Sequence, residues 1–138
     1  MKSPAMNHLA IFISGLLLTI AVVSPAAAQP RLPHTPMDKE ILLLPEECKI
    51  LLQGTQEQKK VVFTKNFPGF IGPNHYCLGL NFMNRAKFSS ANKQEKQFNL
   101  QSAIGEFGYV LRHTPPTTPG LEQVKTQVQL ARMMLKTR

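Results

Sequence analysis

Apolar residues along this chain fall into two kinds of run. One, LAIFISGLLLTIAVV over residues 9–23, has no polar face at all. From residue 73 onward, apolar positions instead return every three or four residues, the period of a helix buried along one stripe. Three helices follow from that period. The first starts near Pro73 or Asn74 and runs to about residue 88, with Tyr76, Leu80 and Met83 on one face and Leu78, Phe82 and Ala86 on a second. A helix apolar on two sides is one held between neighbours. SSANKQEKQ (89–97) reads as a polar loop that gives way to a second helix over 96–113, carrying Leu100, Ala103, Ile104, Phe107, Val110 and Leu111 and stopped by Pro115-Pro116. Thr118-Pro119 then caps a third helix, in which Leu121, Val124, Val128, Ala131 and Leu135 recur.

Upstream the signals are shorter. Pro45 suits the first turn of a helix, Glu46 and Glu47 complement its positive end, and Gly54 stops it, which gives a helix at about 45–53 carrying Cys48. Ile41 to Leu44 is apolar but too short to assign by period. Residues 55–72 read as an irregular connection whose Phe67, Phe70 and Ile71 tuck under the helices, with Pro68-Gly69 and Gly72-Pro73 as turn punctuation. The expected fold class is all-α: a short N-terminal helix, an antiparallel helix pair and a C-terminal helix, pinned by one disulfide.

The run at 9–23 is an export signal rather than a membrane span. It is 15 residues long, against the about 20 that a span requires. Lys2 supplies the charged start, and SPAAAQ places small residues at Ala26 and Ala28, so cleavage is expected after Ala28. Residues 1–28 are then a signal peptide, 29–37 (QPRLPHTPM) a flexible proline-rich leader, and 38–138 a single helical domain. The protein is expected in the periplasm or secreted, with no stable membrane span once the signal is removed.

Charge and cysteines refine this. The whole chain carries a formal +8, and because Lys2 is the one Lys or Arg in the first 28 residues, the remainder keeps 15 basic against 8 acidic residues, +7. The charges are dispersed, so they read as a solvated surface, and export argues against nucleic acid as a partner. Cys48 and Cys77 reach an oxidising compartment as an even pair. That implies a disulfide closing a loop of about 30 residues and contributing roughly 3 kcal/mol.

From His75 onward the chain resembles a tetratricopeptide repeat, a helix–turn–helix unit of about 34 residues. On the first helix His75, Leu78, Gly79 and Phe82 have the repeat's spacing, with His75 where tryptophan is usual. On the second, Ala103, Phe107, Val110 and Pro115 follow its order of small residue, aromatic, small residue and terminating proline. The departures are an insertion of about 12 residues between Gly79 and Ala103 relative to the repeat length, and Lys125 where the next unit has glycine. The likeness covers residues 75–138, one to one and a half repeats. HYCLGLNFMNRA followed by AIGEFGYVL is also similar to small exported bacterial proteins with such repeats. Gly79 has a physical reason to be there: glycine inside a helix costs roughly 0.8–1 kcal/mol against alanine, and a close helix crossing offsets it. Gly105 and Gly108 raise the same expectation on the second helix.

Little in the chain reads as chemistry. His75-x-Cys77 is the one close pair of ligand-type residues, with no second pair and no CxxCH. His75 and Cys77 point about 200° apart on a helix and cannot form a nucleophile–base pair. No glycine-rich phosphate loop, GxSxG or HExxH occurs. The expectation is therefore no enzyme and no cofactor. The chain reads as a non-enzymatic adaptor that binds another protein or a second copy of itself. Asn81 and Arg85, one turn apart, are candidate polar contacts for a partner. Tyr109 belongs to an aromatic set, with Tyr76, Phe82 and Phe107, that either packs the core or lines a peptide groove. Leu130, Met133 and Met134 cluster with Leu135 at the open end of the last helix, where adaptable Met side chains suit a partner surface. The alternative is a metal- or redox-responsive envelope protein using His75, Cys77 and Cys48.

Overall fold

A computed structural model describes residues 34–137, so the expected signal peptide and the first part of the leader lie outside the described residues. The described residues form six α-helices and no strand, in keeping with the expected all-α class: α1 (Asp38–Ile41), α2 (Glu46–Gln53), α3 (Gln56–Asn66), α4 (Pro73–Asn84), α5 (Lys93–His113) and α6 (Leu121–Lys136). A π-helical turn, Arg85–Ser89, continues α4. None of these helices is long and apolar enough to cross a membrane.

The centre of the fold is α4 against α5. Gly72 stands beside Tyr109, His75 beside Glu106 and Ser90 beside Asn99, so the sequence positions descend on one helix as they rise on the other and the pair is antiparallel. Helix α6 packs on α5, and α2 on α4. Gly79 is the point of closest approach, since a Cβ added there would stand 2.5 Å from Phe107 Cε1. Leu100, Ala103, Phe107 and Val110 line the inner face of α5, and Leu121, Val124, Val128 and Ala131 that of α6, all buried. The expected sandwiching of the first long helix also holds: Tyr76, Cys77, Leu78, Gly79, Phe82 and Met83 of α4 are buried. The Cys48–Cys77 disulfide ties α2 to α4 across a Cα–Cα distance of 5.3 Å.

Three expectations are corrected. Residues 56–66 are a helix, not an irregular connection. Thr55 caps it by accepting the Gln58 N–H while the Gln58 side chain accepts the Thr55 N–H. Only Val62 of α3 is buried, so the helix shows almost no apolar stripe for a periodicity to reveal. Phe67 and Phe70 do tuck into the core, but Ile71 is exposed. At the end of the leader, Pro36 is buried and the Met37 N–H is held by Glu40. Finally, Gly105 has nothing within 4 Å of a would-be Cβ and Gly108 meets only Arg112, so neither marks a helix crossing.

Candidate functional site

Three places gather side chains with chemistry to offer. The first surrounds His75. Gly72, in the left-handed region at φ 66°, lets Pro73 open α4 and brings His75 over Tyr109 of α5. The imidazole stacks on the Tyr109 ring with centroids 3.8 Å apart, and Tyr109 stacks in turn on His113 at 4.1 Å. His75 donates through Nδ1 to Glu106 Oε2 at 2.7 Å, and His34 donates through Nε2 to the other oxygen, also at 2.7 Å. One carboxylate thus bridges two imidazoles and fastens the leader to α5. Tyr109 is half-buried inside this stack, one of whose members is α5's own terminal histidine. Cys48 and Cys77 are not part of the cluster; each sulfur is bonded to the other, which leaves neither as a thiolate for a metal. Among the described residues no three His, Cys, Asp or Glu side chains are arranged to hold a metal ion.

The second place corrects the exposure expected of Asn81 and Arg85. Both are 1% exposed and belong to the core. Arg85 meets the Glu40 carboxylate side-on, Nε to Oε1 and Nη2 to Oε2 each at 2.8 Å, and its guanidinium lies 5.3 Å from the Phe82 ring centroid. The Arg85 hydrogen bond holds the Glu40 carboxyl below the ordinary glutamate range; burial opposes this, and the Met37 N–H adds to it. The π-helical turn begins at Arg85, so the guanidinium enters the core where α4 loses its regular turn. Asn81 is buried beside this pair, and its amide is a smaller cause of the lowered Glu40 carboxyl. Nearby, burial, with the Glu47 carboxylate as a smaller cause, pushes the Tyr76 phenol above its usual range.

The third place is a groove of about 560 Å³ where the start of α5 meets the end of α6. It is lined by the apolar Leu100, Met134 and Leu135 and by Lys93, Lys96, Gln97, Lys136 and Thr137. The expected partner-binding cluster falls here in part. Met134 lines the groove, Met133 beside it is 57% exposed, and Leu130 is half-buried one turn earlier. The three lysines were not among the expected binding residues. Lys93, Lys96 and Leu100 have i, i+3, i+7 spacing on one helix face, a signal legible only if α5 begins by residue 93. Placing residues 89–97 in a loop hid it.

Of the residues expected to pack the helix pair, all but Pro115, which is exposed, lie in the core. Leu78, Gly79, Phe82, Ala103, Phe107 and Val110 are buried, and Pro115 stands two residues beyond the last turn of α5. No protein-family model matches the chain, and no curated protein or solved structure matches it either.

Proposed function

We propose that this chain is a non-enzymatic helical adaptor, working in the periplasm or outside the cell, that binds another protein through the end of the α5–α6 pair. The groove at that end carries the reading, because it sets the half-buried Met134 and Leu135 beside the exposed Met133 on the last turns of α6. The close Gly79–Phe107 crossing and the buried positions of Ala103 and Val110 support a degenerate tetratricopeptide-like unit over residues 75–138. Such units are stabilised by stacking on a neighbour, which gives an open end a reason to receive one. The metal- or redox-responsive alternative draws no support from the cysteines, which are joined to each other.

The test is a photo-crosslinking residue placed at Met133 in the exporting cell, with Glu122, exposed at the opposite end of α6, as the control position. A discrete protein adduct from position 133 and none from 122 is the expected result. Identical adducts from both positions, or none from 133, overturn the reading.

A further inference from the structure

We infer that the groove between α5 and α6 takes an acidic, amphipathic segment of the partner protein. This inference rests on the adaptor reading above and narrows it to a chemistry. Lys93, Lys96 and Lys136 surround the groove, and among the described residues no carboxylate lines it. The lysine ion pairs among the described residues are Lys49–Glu46 and Lys125–Glu122, so none of these three ammonium groups is ion-paired within residues 34–137. The positive end of α5 and the negative end of α6 meet at this place and offset one another, so the field of the groove comes from the three ammonium groups. Between the lysines, Met134 and Leu135 are only half-buried, so an occupant gains from bringing apolar side chains as well as negative charge.

The charge pattern of the chain itself removes two other occupants. Residues 1–37 contain no Asp or Glu, so the N-terminal segment cannot neutralise the groove. A second copy is disfavoured by the net charge of +8. Its one buried carboxylate, Glu40, is held by Arg85, and its exposed ones are dispersed along the chain rather than gathered in one acidic segment. A nucleic acid or an anionic membrane would satisfy the lysines, but a sugar–phosphate chain leaves the apolar lining uncovered. A recess between two helix ends is concave, whereas a membrane surface offers no segment to fill it.

The experiment is fluorescence anisotropy on the purified, disulfide-bonded chain, with a labelled synthetic 12-residue peptide that alternates glutamate with leucine. Binding is expected, and the triple variant Lys93→Glu/Lys96→Glu/Lys136→Glu weakens it at least about tenfold. Raising the salt from about 50 to about 300 mM weakens it about tenfold as well. Met134→Ala, which keeps every charge, weakens it about threefold through the lost apolar contact, a few-fold effect being the size of one part-buried side chain. Circular dichroism of each variant must match the parent, and a misfolded triple variant is replaced by the single reversals, each expected to show part of the loss. The inference is overturned by equal binding of a lysine–leucine peptide. Equal binding of a thymidine oligonucleotide or of phosphatidylglycerol vesicles overturns it too, as does unchanged affinity in the folded triple variant. If no acidic peptide binds while position 133 still captures a protein, the inference fails and the adaptor reading stands. If neither is seen, both fail.

Discussion

Gly79 and Phe107 meet at a distance that leaves no room for a methyl group. A Cβ at Gly79 would lie 2.5, 2.7 and 2.8 Å from three carbons of the Phe107 ring, which is itself fully buried and cannot swing aside. Gly79→Ala gains about 1 kcal/mol of helix propensity but forces the helices apart, at about 1–3 kcal/mol or more for an overpacked core. The expected outcome is a net loss of stability of about 1–2 kcal/mol, measured by denaturant unfolding. A variant as stable as the parent would show that the crossing is slack.

Gly105 is the opposite case on the same helix as Phe107. It is exposed, and nothing lies within 4 Å of where its Cβ would go. Gly105→Ala should therefore stabilise the protein by about 0.5–1 kcal/mol, with no packing cost to set against the gain. A loss in the same unfolding measurement would contradict this.

The Arg85–Glu40 pair makes a prediction in two parts. Arg85→Met leaves a buried carboxylate without its partner and should cost about 3–5 kcal/mol, whereas Arg85→Met with Glu40→Leu should cost markedly less. The second part concerns acid. Arg85 holds the folded-state value of Glu40 below its unfolded one. The ionised pair therefore stabilises the fold fully above the unfolded glutamate value, about pH 4.3. That stability fades as the pH falls through the lower folded value. Unfolding free energies measured between neutral pH and strong acid should show this decline in the parent and a shallower one in Glu40→Gln.

Glu106 is expected to matter for the leader more than for the core. In Glu106→Ala both imidazoles lose their shared acceptor, and His34 has no other hydrogen bond to hold it among the described residues. Amide exchange at Thr35 and Met37 should quicken by about tenfold, while amides in the middle of α5 keep their protection. Unchanged exchange at those two positions would show that Pro36 and Glu40 suffice.

How far the sequence reveals this molecule depends on the distance between interacting residues. The helices with an apolar stripe, α4, α5 and α6, are legible from spacing alone, whereas Gly79 as a crossing point needed the likeness to a helical repeat. Gly105 and Gly108 look the same in the sequence and differ only in the direction they face. Arg85 looks like a solvent contact because its partner lies 45 residues away, outside any local pattern. Helix α3 is concealed by its lack of a buried face, although the Thr55-x-x-Gln58 capping box was there to be read. The lysines around the groove are dispersed in sequence, at 93, 96 and 136, and only the packing of α6 on α5 gathers them.

The disulfide has a consequence for how the chain comes apart. Cys48 and Cys77 close a ring, and the whole of α3, with its exposed Val61 and the adjacent Lys59-Lys60, lies within it. A protease that cuts α3 leaves the two fragments covalently joined, as one band on a gel until a reductant separates them. The oxidised chain is topologically a ring with two tails, and at α3 the ring can be opened without either piece being lost.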